Sequence, residues 1–428
     1  MKKKSNRRTR YFLLILACLT LLGLLIRLLV SWQLIGNDPF AYDPPSVTDM
    51  ATYLQQSREI LQGNFPEVFY YQPFYYSVFL PLCKWIFRAD IWAVAAGQSF
   101  CSAGIIWLCG ICAALLRGRR CGIFAAVLAC FSAMLIFYVP YALIEIQQAF
   151  WFTLLFYLTL QGYRKNLFRY WAGAGIILSF AVLSRGNAWC FLPCLAAAVF
   201  FAGKKQASPV KCQLFFLLIL LFFSLIPQLP FIITNSLATG TLTGPSTAGP
   251  TVLALGNNPE APAGHLVYPE TYRRWFETAH VRPVVDSIAD WAMEEPAAFL
   301  ELQFRKFLLY WDAGEIPNNV SWEQNGKKSS VLMLTGKVSG AVILFLALGA
   351  CFMLFRSGRY HKGVLLLMGF CSFYALAAAA FYILARFRVP SLGLLIMLAA
   401  FLPDLLWRRC KKRPVTWSSW TGPAAACA

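Results

Sequence analysis

Asp49, Glu145, Arg185, Arg386 and Arg388 are the residues of this chain whose types and settings could do chemistry. Asp49 lies in DPPSVTDMATYLQQSREILQGNFPEVFYYQPFYY, a polar and aromatic stretch that follows the first long apolar segment. Tyr53 falls one helical turn beyond it. Either Thr48 or Asp49 could instead cap the short helix that starts there. Glu145, in YVPYALIEIQQAFWF, sits at the end of an apolar segment, where an ionisable group is a functional candidate. An interfacial glutamate facing water is the plainer alternative. Arg185 in LSRGNAW, with Arg386 and Arg388 in ARFRVP, also occupies segment ends. Arginine forks grip phosphate bidentately and keep their charge, so a phosphate at the membrane surface is one reading and headgroup anchoring the other.

Weaker candidates surround these. Tyr70, Tyr71, Phe74, Tyr75 and Tyr76 flank Gln72 and Pro73. They read as an interfacial aromatic belt or as a wall for a sugar ring. Asn257 and Asn258 in GNNP, Glu315 in GEIPNN and Lys306 lie in a long loop facing the same compartment. Turn chemistry explains the first three as readily as ligand binding does.

The elements that carry these residues follow from composition. The chain has 428 residues, 59% apolar and 13% charged. A soluble domain is about half apolar and about a quarter charged, so an integral membrane protein is expected. The net charge of +19 is spread over short basic clusters between apolar segments, which sets membrane orientation and excludes a nucleic-acid partner. Most of the fourteen cysteines fall inside apolar runs, and the loop of residues 236–337 has none. Cys109 and Cys112 stand in a CxxC-like spacing without a nearby histidine. The three histidines, His265, His280 and His361, form no metal-ligand pattern.

MKKKSNRRTR followed by a long apolar run reads as a first transmembrane helix over residues 11–34, too long for a signal peptide. Arg27 is expected to snorkel to the interface. TDMATYLQQSREILQG reads as an amphipathic helix with Met50, Tyr53, Leu54, Ile60 and Leu61 inward. FYYQPFYYSVFLPLCKWIF, broken by Pro73 and Pro81, reads as interfacial. Further spans are expected near 91–116, 120–140, 145–161, 168–184, 187–202, 211–234, 339–356, 362–384 and 388–407, ten in all. With them the basic clusters fall on one face and nearly all acids, Asp404 excepted, on the other. The expected organisation is a transmembrane module (1–234) with a first extracytoplasmic loop (35–90), an extracytoplasmic loop domain (235–338) and a C-terminal transmembrane module with a basic cytoplasmic tail (339–428).

Taken in order, DMATY…ILQGNFP…YYQPFYY, Glu145, LSRG, PQLPFIITNSLATG leading to GNNPEAPAG, EEPAAFLELQFRKFLLYW with GEIPNN, and RFRVP resemble the membrane glycosyltransferases of the GT-C class. They are most similar to the bacterial protein O-mannosyltransferase-like branch, glycosyltransferase family 39, which includes lipid A aminoarabinose transferases. The resemblance spans nearly the whole chain. It implies an all-α polytopic protein of the bacterial plasma membrane with both termini cytoplasmic. It also implies inverting transfer of a sugar from a polyprenyl phosphate carrier to an extracytoplasmic lipid, glycan or protein. Asp49 matches the family's first-loop base and Glu145 a second-loop acid. Arg386 and Arg388 match late arginines beside the carrier phosphate, with Arg185 or Lys306 as helpers. Tyr53, Tyr71, Gln72, Asn257, Asn258 and Glu315 become substrate contacts. Many members pair two acids in the first loop, whereas Asp49 has no acidic neighbour closer than Asp43, so a divalent metal has little support. A flippase for a carrier-linked glycan is the alternative from another class, and an assembly subunit with a decayed site a third.

Overall fold

The computed structural model describes residues 2–277, 283–312, 314–358 and 361–411, and the side chains from residue 7 onward. His280 and the tail beyond Lys411 lie outside the described residues. Seven helical stretches among the described residues are long and apolar enough to cross a membrane: Arg7–Asn37, Ile91–Arg117, Gly186–Lys205, Val210–Thr239, Gly340–Ser357, Lys362–Ala379 and Ala385–Cys410. The chain is an all-α multi-pass membrane protein. Large apolar side chains such as Leu14, Leu25, Phe215, Phe345 and Phe352 stay exposed on these helices, as a surface facing lipid requires.

Three expected spans depart from the ten. Residues 120–140 break into Arg119–Cys130 and Ala133–Phe137. The break is tolerated because Val338 supplies the missing partners: Ala133 N donates to its carbonyl at 2.9 Å, and its own N–H donates to Phe131 O at 3.1 Å. Residues 145–161 form a continuous helix, Glu145–Lys165, whose first turn buries Glu145, Gln147 and Gln148 and so loses hydropathy. Phe168–Ser184 is apolar but shorter. Arg27 also departs from expectation. It is fully buried rather than snorkelling, donating to Ser102 Oγ at 2.5 Å and to the carbonyls of Gly23, Cys130 and Ala129 at 3.0–3.2 Å. Carbonyls freed near the break after Cys130 hold it inside.

We label four helices: α1 (Lys2–Asn37), α2 (Asp49–Leu61), α3 (Glu145–Lys165) and α4 (Phe168–Ser184). Helix α2 buries Met50, Tyr53, Leu54 and Ile60, while Leu61 points outward at 51% exposure. After it, a π-turn at Tyr75–Phe79 runs into a short helix, Leu80–Phe87, together too short to span. Residues 235–338 carry short helices, among them Gly249–Gly256, Val284–Glu294 and Pro296–Trp311. This region is fastened to α1. Asp38, 1% exposed, accepts from Tyr141 Oη (2.6 Å), Asn325 Nδ2 (2.8 Å) and Lys328 Nζ (2.9 Å). Sequence reading gave no hint of that clamp.

Candidate active site

Thr48 is the cap of α2, its side chain accepting from Ala51 N at 3.3 Å. That settles the capping alternative and leaves the Asp49 carboxylate free to face away from the helix. Its Oδ2 accepts from Arg386 Nη2 at 2.6 Å and from Asn319 Nδ2 at 3.0 Å. Glu145 opens α3, where the helix N-terminus favours an anion. Its Oε1 lies 3.3 Å from Arg185 Nη2 and 3.8 Å from Arg386 Nε. Arg185 closes α4 in an extended conformation, and Arg386 sits in the 3-10 turn Ala385–Ser391. Both guanidinium groups lie over the Phe387 ring, at 4.3 and 5.5 Å.

Arg386 therefore stands between two carboxylates, and Arg185 backs one of them. The Glu145 side chain is fully buried, while Asp49 keeps 29% of its side chain exposed, so Asp49 is the acid a substrate can reach. Burial pushes the Asp49 carboxyl upward. The Arg386 charge and hydrogen bond, the Asn319 hydrogen bond and the Arg185 charge outweigh this and hold it below the usual aspartate range. As it stands, Asp49 is ionised but only weakly basic.

A cavity of about 560 Å³ opens on this cluster. Asp49, Arg185 and Arg386 form its charged wall, with Tyr53, Tyr71 and Gln72 beside them. Of the expected aromatic group only Tyr70 and Tyr71 line the cavity; Phe74, Tyr75 and Tyr76 are buried, and Tyr53 packs edge-on against Tyr71 (5.8 Å) and Tyr75 (5.1 Å). Burial first, then the Asp49 charge, raises the Tyr71 hydroxyl, which stays neutral at physiological pH. Gln72 takes the left-handed backbone (φ 45°) before Pro73 and lines the same cavity. The lining also includes apolar and aromatic residues, among them Val182, Leu183, Trp189 and Phe381.

Six expected site residues do not line it: Glu145, fully buried beside Arg386, and five that go elsewhere. Arg388 turns away and donates to Gly314 O at 2.5 Å. Lys306 is fully buried and donates to Gly256 O and Asn257 Oδ1, both at 2.9 Å; burial pushes its amine down to about 7. Asn257 donates to Leu253 O and Ala380 O, and Asn258 to Ala254 O, so both brace backbone. Glu315 accepts from Ser321 Oγ and from the Trp322 and Glu323 amides, which shapes a turn. As corrections, Lys306 and Arg388 bind carbonyls rather than facing a phosphate site, and Asn257, Asn258 and Glu315 hold the loop region together.

Sequence reading missed Asn319, Trp189, Tyr268 and Tyr382. The only cue for Asn319 was its place as the second asparagine of GEIPNN. For a metal, the fit is poor. Guanidinium groups pair with both carboxylates, and no group of three or more His, Cys, Asp or Glu side chains gathers among the described residues.

Neither a protein-family profile nor a curated protein sequence matches the chain. Solved structures do. Archaeal oligosaccharyltransferase AglB from Archaeoglobus fulgidus, in complex with an inhibitory peptide and a dolichol-phosphate, aligns over 97% of this chain and 53% of its own, with TM-score 0.54 and 14% identity. The Archaeoglobus fulgidus oligosaccharyltransferase in the apo form gives 97%, 54%, 0.55 and 15%. ArnT from Cupriavidus metallidurans bound to undecaprenyl phosphate aligns over 94% of this chain and 79% of its own, with TM-score 0.36 and 13% identity. The two oligosaccharyltransferase likenesses are of fold: the chain has the GT-C architecture. It spans about half the length of those oligosaccharyltransferases.

Proposed function

We propose that this chain is an inverting glycosyltransferase that moves a sugar from a polyprenyl phosphate carrier to an acceptor outside the cytoplasm, in a bacterial plasma membrane with both termini inside. The observation that carries this reading is the convergence of Asp49, Arg185 and Arg386, backed by buried Glu145, on a cavity whose lining is otherwise largely apolar and aromatic. Such a cavity suits a ligand with an anionic head and a hydrocarbon tail. The AglB complex with dolichol-phosphate, on the same fold, supports that class of ligand.

Single displacement assigns roles as follows. The acceptor oxygen attacks the anomeric carbon while its proton passes to Asp49. The bond from that carbon to the phosphate oxygen breaks, and the electron pair leaves on the phosphate. Arg386, with Arg185, stabilises the charge that develops there, by the logic of an oxyanion hole. Glu145 sits behind Arg386 and holds its fork in place.

Arg386 has two tasks, and they couple. Its clamp keeps Asp49 weakly basic in the resting state. An arriving phosphate competes for the same guanidinium and loosens the clamp, which restores basicity to Asp49. The base is thereby armed by the donor. Residues 235–338 form the acceptor-side lid.

The test is Asp49→Asn in membranes supplied with a polyprenyl-linked sugar. The variant folds and inserts, and transfer stops. Retained transfer removes Asp49 as the base. Movement of the carrier-linked glycan across vesicles with no new glycosidic bond would favour a flippase instead.

A further inference from the structure

A second cavity, of about 270 Å³, lies at the Asn319 turn. Phe40, Asn318, Asn319, Ser321 and Gln324 contribute to its lining. Asn319 links it to the first site, because its Nδ2 is 3.0 Å from Asp49 Oδ2. The turn itself is fixed. Val320 N donates to Asn318 O at 2.6 Å, Glu315 holds Ser321 and the amides beyond it, and Asn319 takes a left-handed backbone (φ 58°) that asparagine tolerates. With the backbone held, the side chain of Asn319 is the part free to swing.

The chemistry of the lining is narrow. The Asn318 and Gln324 carboxamides make no hydrogen bond to another group among the described residues, so both offer a donor and an acceptor to whatever enters. The cation at the rim, Lys328, is matched by buried Asp38 at 2.9 Å. The cavity is therefore close to neutral, its polar side chains interleaved with Pro317, Val320 and one aromatic ring, that of Phe40. Hydroxyl groups, which also donate and accept, fit it better than an anion or a cation would.

We propose that this cavity admits the acceptor, that the acceptor is a polyhydroxylated carbohydrate, and that Asn319 keeps its place on Asp49 until an acceptor hydroxyl replaces it. The proposal rests on Asp49 being the base of the transfer reaction. A base must receive a hydrogen bond from the group it deprotonates. In the resting structure the Asn319 carboxamide makes that bond, and it comes from the second cavity's side. The donor then enters by the Arg386 side and the acceptor by the Asn319 side. The hydroxyl proton goes to Asp49 as the new glycosidic bond forms and the phosphate leaves.

The experiment uses full-length chain in native-host membranes whose carrier-linked sugars are radiolabelled, with endogenous acceptor present. Gln324→Trp blocks the cavity, and Asn318→Leu removes a carboxamide with little change in bulk. Donor-side integrity is read as the thermal shift on adding undecaprenyl phosphate. The proposal predicts at least a tenfold loss of label transfer in both variants, with the undecaprenyl phosphate shift unchanged. It also predicts that wild-type product resists protease. Wild-type transfer in both variants overturns it, as does label found in protease-digestible polypeptide. If Gln324→Trp loses the lipid shift, Asn318→Leu decides. An Asp49→Asn control separates the two readings: transfer by that control sinks the base assignment. A dead control beside fully active cavity variants sinks the acceptor route alone.

Discussion

Two aspartates of this chain sit among arginines near opposite ends of one span, Ala385–Cys410 and its partners. Asp49 meets Arg386 at 2.6 Å, and Asp404 meets Arg117 and Arg408, each at 2.9 Å. By charge they are near copies. They differ in surroundings. Asp404 is 9% exposed, accepts arginines from two helices and lines neither cavity described above, so it ties Ile91–Arg117 to the last span. Asp49 is 29% exposed, opens on the larger cavity and shares its arginine with a second acid. A buried ion pair by itself says little about function. An ion pair that a substrate can reach and rearrange says more.

The largest expected effects break the comparison outright. Asp49→Asn lowers transfer by about 10²–10⁴-fold, the range of a lost general base, with little loss of folded protein. Asp404→Asn does the reverse: transfer per folded molecule survives, but stability falls by about 3–5 kcal/mol, as when one partner of a buried pair is removed. Thermal unfolding and sugar transfer, measured on both variants in detergent, check this. A stable, inactive Asp404→Asn would erase the distinction.

Next comes the fork. Arg386→Lys keeps the charge but loses bidentate grip, and transfer falls about 10²-fold, in line with loss of one preorganised donor. Arg117→Lys leaves transfer within a few-fold. Initial rates at saturating donor separate the two.

A pH profile sharpens the picture further. Asp49 has a folded value below its unfolded one, so its stabilising contribution is whole above the ordinary aspartate pKa and is lost as pH falls through the depressed value. Asn319→Ala removes one of the depressing hydrogen bonds. The acid limb of free-enzyme transfer therefore moves to higher pH in that variant. A limb that stays put would mean the bond does not reach the titrating group.

The smallest effect concerns Lys306. Its folded value of about 7 lies below that of the unfolded amine, near 10.4, so stability rises with pH across that window and levels off above it. Lys306→Met flattens this dependence and leaves transfer within a few-fold, since the residue does not line the larger cavity.

Much of the fold was legible because hydropathy is local. The long apolar runs, the short helix after Thr48 and the shortness of the helical stretch after Pro73 all follow from neighbours in sequence. Arg27 was not legible, because its partners are carbonyls released by a helix break about a hundred residues away. The site was half legible. Asp49 stood out in the polar stretch after the first span, and Glu145, Arg185 and Arg386 as charges at segment ends; the structure brings them together. Arg388, named for its place at a segment end, and Lys306, named as a helper in the long loop, went elsewhere, because a cation satisfies itself as well with carbonyls as with phosphate. Asn319 could not be seen. Its meaning lies in a contact with a residue 270 positions earlier.

The most direct test of the central claim is a cryo-electron microscopy structure of the full chain with undecaprenyl phosphate. The account predicts the phosphate on Arg386 and Arg185, with the Arg386–Asp49 contact lengthened beyond its resting 2.6 Å and the lipid tail against the apolar lining residues of the larger cavity. A phosphate bound beside Arg117 and Arg408, or one seated with the Arg386–Asp49 pair intact, would contradict it.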